Sequence, residues 1–480
     1  MGAAKLQWEP RGYPIRTALK ARARNLRLRA VLCQFVGKRS SKSLKIHSTH
    51  CHPIPYSDDV TVWSRRFADL DGFAMLDSRK RDTDSGRYDI VTALPDRYFD
   101  VTDFGGSAAQ WMDAIEADLD ASPNCTSRIA IGFIDFETAS IGALGVSGES
   151  LKPATAGVYS WYVLQDHSEQ RAWLVKDPGL SAKIDAAIAE RLQINAEEIN
   201  TKYKINHRFM PDISREIYED MVCAVRTLIA AGDCYQANIA QRFQCGYSGS
   251  EYGIYEKLRD VAPGDYAAFL KLGTDHAVIS QSPERFLSVD AGYIRSQPIK
   301  GTRPRFSDPT QDAASAHALL SSVKDRAENI MIVDLLRNDL GKICQTGTVK
   351  VTELCELYSY DNVHHLVSRI EGRLEKGVRP GAALIAASPG GSITGAPKKR
   401  SVEIIKSLEQ HPRGVYCGSV FAMTADGWLE SSIAIRTLEA IDGVLYCWGG
   451  GGITWDSVPE EEYAETLAKV SSFMRALDTQ

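Results

Sequence analysis

Apolar residues recur along this chain with two periods, and the change from one to the other divides it. From about Val60 to Lys176 they come in short runs broken by turn-forming residues, which predicts strands at Phe73–Leu76, Tyr88–Ala93, Arg128–Ile134 and Gly157–Leu164. One stretch with helical spacing, Ala108–Leu119, interrupts them. Residues 177–212 are more polar, with a helix predicted at Ala182–Leu192, and Met210-Pro211-Asp212 reads as a boundary. Beyond it Ile217, Met221, Val222, Val225, Leu228 and Ile229 share one helical face, with Ser214 as N-cap and Gly232 as stop. Asp290-Ala291-Gly292, Ala425-Asp426-Gly427 and Asp442-Gly443 are hairpin turn signals. Further helices are predicted at about 311–340, 378–387, 397–409 and 459–478. Strands and helices do not alternate as βαβ units, and no repeat is visible, so the expected fold class is α+β.

Composition narrows this. A chain of 480 residues with 44% hydrophobic and 24% charged residues is a globular protein of one large domain or two to three ordinary ones. Its net charge of −5 hides an asymmetry. Twelve of the 56 Lys/Arg fall in residues 1–50 beside a single acid, Glu9, which leaves 44 basic against 60 acidic residues in the body. An acidic body excludes a broad nucleic-acid face. Three segments are expected: a basic extension at 1–55, read as disordered, an N-terminal subdomain at 56–210, and a catalytic domain at 211–480. The extension equally suits an organelle transit peptide or upstream sequence taken into the reading frame. The ten scattered cysteines show no metal-ligand spacing, which places the chain in a reducing, cytoplasmic compartment, and no apolar run is long enough to span a membrane.

Candidate chemistry starts at Pro298–Arg305. Lys300 lies at a predicted strand end before Gly301-Thr302, where backbone can approach a ligand and a confined amine loses its proton readily. The plain alternative is an ordinary strand-end lysine. Asp325 and Glu328 are three apart on one predicted helix, as are Glu462 and Glu465 on another, which Ser457-Val458-Pro459-Glu460 opens as a capping box. Early-helix acids also simply complement the helix dipole. Brought to one cavity, two such pairs would make a hard-oxygen site suited to Mg²⁺. Ser388–Lys398 and Gly449–Gly452 are glycine-rich stretches that either turn flexibly or offer bare backbone to an anion.

Taken in order, Gly232–Asn238, Ser282-Pro283-Glu284, Pro298–Arg305, Asp325–Gly341, Ser388–Lys398, Tyr416–Ser419 and Gly450–Thr466 resemble the chorismate-utilising enzymes. The resemblance is strong over about 214–478 and faint over about 70–176. It implies a fold of large, mostly antiparallel β-sheets packed with helices. Within the family, Pro-Ile-Lys-Gly-Thr around Lys300 is similar to the branch that aminates chorismate at C4, whereas anthranilate synthases usually carry alanine there. Isochorismate and salicylate synthases place a water-activating lysine where this chain has Gln236, and a glutamine cannot act as that base.

The resemblance further implies roles. Lys300 would be the nucleophile and Glu284 the acid for the departing C4 oxygen. Mg²⁺ would be held by Glu328 and Glu465 directly and by Asp325 and Glu462 through water. Tyr416, Arg436, Gly450 and Lys469 would meet the carboxylates of chorismate. Gly301, Thr302 and Ser392 line the same region in relatives, and His365 matches a histidine near the C4 oxygen, although a lone histidine is often structural. Ammonia would come from a separate glutamine amidotransferase subunit, since no Gly-x-Cys-x-Gly elbow is present. Relatives hold a tryptophan near the segment matching Gly132–Glu137. The charged residues of Asp334–Gly341 are expected to form a structural network. A non-catalytic relative would have lost the acid, the nucleophile or the metal carboxylates, and all are retained here.

Overall fold

Two antiparallel sheets organise the chain, and both take strands from either side of residue 210. The computed structural model describes residues 50–78, 87–122, 127–196, 199–273, 275–360 and 363–478. Among these, the first sheet has 13 strands. They run Cys51–Ile54, Arg171–Lys176, Trp161–Asp166, Tyr88–Thr92, Ala74–Asp77, Tyr266–Leu270, His276–Ser282, Thr437–Ile441, Val444–Ile453, Gln236–Gly249 and Met210–Pro211, with Tyr203–Ile205 and Gly395–Ala396 also on Gln236–Gly249. The second has 10. They run Ile299–Pro304, Val363–Arg373, Tyr293–Ser296, Arg285–Asp290, Leu429–Ile433, Ser419–Met423, Ile129–Ile134, Thr155–Tyr159 and Arg97–Asp100, with Lys350–Ser359 also on Val363–Arg373. The α+β class and the large antiparallel sheets follow expectation. The 56–210 and 211–480 segments, however, interleave in both sheets.

Sequence accounts for the layering. Trp161–Asp166 and Ile129–Ile134 are buried at every position, as expected of strands covered on both faces. Lys350–Ser359 is largely exposed along its length, which fits a strand at the edge of its sheet. Trp111 and Trp161 are fully buried, and each indole N–H donates to a backbone carbonyl, of Phe99 (2.9 Å) and Ala93 (2.8 Å), so the rings enter the core with no orphaned donor. The sheets meet where Phe133 packs edge-on against His276 and the Tyr159 hydroxyl donates to the Gly72 carbonyl.

Several predicted elements shift. Residues 51–54 form a strand paired with Arg171–Lys176, so the N-terminal extension stops short of residue 55; residues 1–49 lie outside the described residues. The run Gly157–Leu164 is two strands in different sheets, broken at Ser160. The helical stretch 311–340 is two helices, Pro309–Ser321 and Val323–Gly341, and the Ser322 hydroxyl caps the second by accepting from the Asp325 amide (3.2 Å). The three turn signals join paired strands, and Ala291, Gly292, Gly427, Asp442 and Gly443 all take the positive φ these turns require. No described helix is long and apolar enough to cross a membrane.

Candidate active site

Two of the places where the chain crosses from one sheet to the other are adjacent, and functional candidates sit at both. His276–Ser282 belongs to the first sheet and Arg285–Asp290 to the second, with Glu284 at the crossing. Leu429–Ile433 returns to Thr437–Ile441, with Arg436 at that crossing in a left-handed conformation, φ +53. The crossings are bonded: the Ile433 amide donates to the Glu284 carbonyl (3.1 Å) and the Gln281 amide to the Arg436 carbonyl (2.9 Å). A strand that changes sheets must break its ladder, which frees side chains to point into the seam.

Lys300 comes to this seam from the strand Ile299–Pro304. Its register against Val363–Arg373 shifts between Ile299 and Thr302, and Gly301 has φ +84. That irregularity turns Lys300 inward, and its Nζ donates to the Ser392 carbonyl at 2.7 Å. Burial lowers the Lys300 pKa, opposed by the carboxylates Glu328 and Glu284. Glu284 is 5% exposed. Burial pushes its carboxyl up to about 7, against the pull of the Ser392 side chain, the Lys300 charge and the Ile299 amide. Burial therefore pushes both groups toward their neutral forms, the carboxyl toward keeping its proton and the amine toward losing one.

The four sequence-predicted carboxylates come from two helices, Val323–Gly341 and Pro459–Asp478. Their charges act on one another. Glu328 is raised by burial and by Asp325 and Glu465, and Glu462 by burial and by Glu465. Burial of Glu465 is outweighed by Lys469, Lys324 and Lys300, so its pKa is lowered. Each of three also has a close partner: Arg303 on Asp325 (2.8 Å), the Ser457 hydroxyl on Glu462 (2.6 Å) and Lys469 on Glu465 (2.6 Å). Among the described residues no three His, Cys, Asp or Glu side chains are gathered closely enough to hold a metal ion. The donor chemistry is nevertheless that of a hard-cation site. Ser457 departs from the expected capping box: its hydroxyl is spent on Glu462, and Val458 accepts the first helical amides.

The remaining candidates divide between two places. Lys469 also donates to the Gly450 carbonyl (2.8 Å). Gly449–Gly452 is not a loop but the end of a strand laid on Gln236–Asn238 and its continuation. A Cβ at Gly449 would fall 2.5 Å from the Thr466 carbonyl oxygen, and one at Gly452 1.9 Å from the Gln236 amide nitrogen, so glycine is what lets strand, helix and Gln236 pack together. Tyr416 is buried and stacked on Trp448 (5.6 Å between centroids). Arg436, lowered by burial, meets no hydrogen-bond acceptor among the described residues. Thr302 and His365 are cross-strand partners, bonded through Oγ1 and Nδ1 at 2.8 Å, so the histidine has a structural tie whatever else it does. A cavity of about 340 Å³ lined by Tyr98, Lys152, Asp275 and His276 takes in none of these residues.

Sequence reasoning missed Arg303 and Arg413. Arg413 is 1% exposed. It forks onto Glu409 (2.9 and 2.7 Å) and donates to the carbonyls of Ile393 (3.2 Å) and Asn238 (2.6 Å), tying the Ser392 segment to the long strand. The Glu409–Arg413 spacing was its only sequence signal, and the helix Lys398–Leu408 ends before it. Gly132–Glu137 serves the same loop: Glu137, pushed up to about 8 by burial, accepts from the amides of Arg413 (2.9 Å) and Gly414 (3.0 Å). Asp339 pairs with Lys342 and Lys398, as the expected structural network requires.

The model of the chorismate binding enzyme family matches residues 73–475. Aminodeoxychorismate synthase component 1 of Salmonella typhimurium is 41% identical over 329 residues, 68% of this chain and 71% of that protein. Anthranilate synthase component 1 of Bacillus subtilis is 36% identical over 281 residues, 58% of this chain and 52% of that protein. The crystal structure of anthranilate synthase component I from Streptococcus pneumoniae superposes with a TM-score of 0.69 at 28% identity, covering 93% of this chain and 97% of that one.

Proposed function

The chain belongs to the chorismate-binding enzyme family, and from that premise we propose that it aminates chorismate at C4 to give 4-amino-4-deoxychorismate. The observation that carries this reading is the Lys300–Ser392–Glu284 arrangement: an amine inclined to neutrality beside a carboxyl inclined to hold its proton. The neutral Lys300 amine attacks C2 of the ring, both ring double bonds shift, and the C4–O bond breaks as Glu284 delivers its proton, releasing water. Ammonia then attacks C4, both double bonds shift back, Lys300 leaves C2 as a neutral amine, and the proton of the new C4 ammonium returns to the Glu284 carboxylate. Splitting the substitution in two is covalent catalysis. Gln236, packed against Gly452, offers no base to activate water, which supports amination over hydration.

Arg436, a half-buried cation without an acceptor among the described residues, would take one substrate carboxylate through two parallel hydrogen bonds, with Tyr416 beside it. Glu328 and Glu465 would hold Mg²⁺ directly, and Asp325 and Glu462 through water. Bound there, the ion would supply positive charge to the ring carboxylate. Similarity to proteins named component 1 supports a partner subunit, which we take to be a glutamine amidotransferase delivering ammonia. Similarity to anthranilate synthases supports a second reading, in which pyruvate and anthranilate are released. Incubation with chorismate, Mg²⁺ and ammonia separates the two by product. Intact mass spectrometry of the same mixture should show an adduct on Lys300. Anthranilate as the product, with Lys300 unmodified, would overturn the proposal.

A further inference from the structure

We propose that Glu137 is a positioning residue for Tyr416: its carboxylate holds the two amides that lead into Tyr416, and losing half of that grip loosens the seat of the substrate carboxylate. This rests on the reading of Tyr416 as a substrate contact. Glu137 lies on the helix Phe136–Leu144, outside the machinery assigned above, and is 3% exposed. One of its oxygens accepts from the Arg413 amide at 2.9 Å and the other from the Gly414 amide at 3.0 Å. The grip is returned, since the Phe136 amide donates to the Gly414 carbonyl at 2.8 Å. The Val415 amide continues the row at 3.4 Å from the buried Glu439, whose other oxygen pairs with His276 at 2.8 Å. Beyond Tyr416 the chain is fixed again: the Cys417 amide donates to the Ala434 carbonyl at 2.9 Å, two residues before Arg436. Tyr416 therefore hangs between two anchors, with its ring stacked within 4° of parallel to Trp448.

Both Glu137 oxygens act as acceptors. An ionised carboxylate does this well and a protonated carboxyl poorly, because one oxygen then carries a proton. Yet burial and the neighbouring Asp135 push the Glu137 carboxyl up to about 8. The grip is therefore complete above that pH and half lost below it. Asp135 caps the same helix through the Thr138 amide (3.0 Å). Lys406, from the helix Lys398–Leu408, is drawn to both acids, while its Nζ donates to the Val146 and Ser147 carbonyls (2.9 and 3.0 Å). The Arg413 guanidinium is spent on Glu409. Of the helices packed on Phe136–Leu144, Pro380–Ala387 carries no charged residue, and Glu116, the buried acid of Ala108–Asp120, pairs with Arg379.

Glu137→Gln tests the grip, because it keeps the shape and one acceptor but sets an NH₂ group against the second amide at every pH. Well above the Glu137 titration its KM for chorismate should exceed the parent's by about tenfold, the scale of one lost hydrogen bond to a charged group, with kcat changed less. Well below it the two proteins should converge, because the parent has then lost the same half of the grip. A parent-like KM at high pH, or an equal loss on both sides of the titration, overturns the proposal; the second result is what a merely weakened fold would give. A readout without substrate accompanies it. The share of tryptophan emission that Trp448→Phe removes should change in the parent as pH passes through about 8, because Tyr416 stacks on Trp448. A flat share overturns the grip even if Glu137→Gln fails to fold. Tyr416→Phe with the parent's KM would instead overturn the reading of Tyr416, and the emission step still reports the grip.

Discussion

Replacing Glu284 with glutamine removes a proton donor while keeping the shape of the side chain, and the structure sets two magnitudes for it. The first is thermodynamic. The Glu284 carboxyl rises from an ordinary 4.5 to about 7 in the folded protein, because burial disfavours its charge. The native state thus holds the proton more tightly than the unfolded chain. That contribution to stability is fully present below 4.5 and is lost as pH rises through about 7. Between pH 5 and pH 8 the loss is about 2–3 kcal/mol. Glutamine does not titrate, so the variant gains on the parent by that amount over the same interval. Urea denaturation of both proteins at the two pH values measures it, and every other titrating group that behaves alike in the two cancels. The second magnitude is kinetic. Ammonia-dependent consumption of chorismate should fall about 10²–10⁴-fold, the usual worth of a positioned general acid. A stability gap that stays flat with pH would show that the acid is not held protonated. An unchanged rate would remove Glu284 from the chemistry.

Lys300→Ala should weaken amination and shift the products toward pyruvate and anthranilate, read by chromatography; a parent-like rate with no adduct in the parent refutes the nucleophile. Arg436→Gln should lower kcat/KM for chorismate by about 10–100-fold, the scale of one lost charge-assisted contact, and chiefly through KM; an unchanged KM would place the substrate carboxylate elsewhere. Gly301→Ala should cost about 1–3 kcal/mol in thermal unfolding, because φ is +84 and the new Cβ would stand 3.0 Å from Asp325 and Leu319. A parent-like melting temperature would mean that the strand relaxes without consequence.

Periodicity read the helices and hairpins well because those features are local. Ser214, Gly232 and the three turn signals each act within a few residues, and each lies where the pattern placed it. What periodicity could not read is a strand's destination. Gly157–Leu164 is one apolar run, yet its halves enter different sheets at Ser160, whose carbonyl accepts from the Asp177 amide and whose hydroxyl donates to Asp96. Both halves are buried on both faces, so nothing in their composition marks the crossing. The glycines at 449–452 misled for the same reason. Their signal is small size, and small size serves a crowded strand as well as an open loop.

The site was legible in kind but not in arrangement. Resemblance named Lys300, Glu284 and the carboxylates, while spacing by itself reached no further than a metal-and-anion site. Arg303 and Arg413 escaped because Asp325, which Arg303 holds, and the Ile393 and Asn238 carbonyls, which Arg413 joins, are distant in sequence. On the proposed chemistry, one environment would serve two opposite demands. A nucleophilic amine must lose its proton, and a general acid must keep one. In water at neutral pH the lysine would be charged and the glutamate ionised, wrong on both counts. Desolvation penalises charge of either sign, so one dry seam corrects both. Ser392 connects the pair without undoing this, because its carbonyl takes the amine and its side chain the acid. The Ser392 hydroxyl favours the ionised form of the acid, so Ser392→Gly should hold the Glu284 proton more tightly and move the Glu284-dependent fall in stability toward higher pH. Urea denaturation of that variant across the same pH interval reads the shift, and an unmoved midpoint would show that the hydroxyl does not hold the acid.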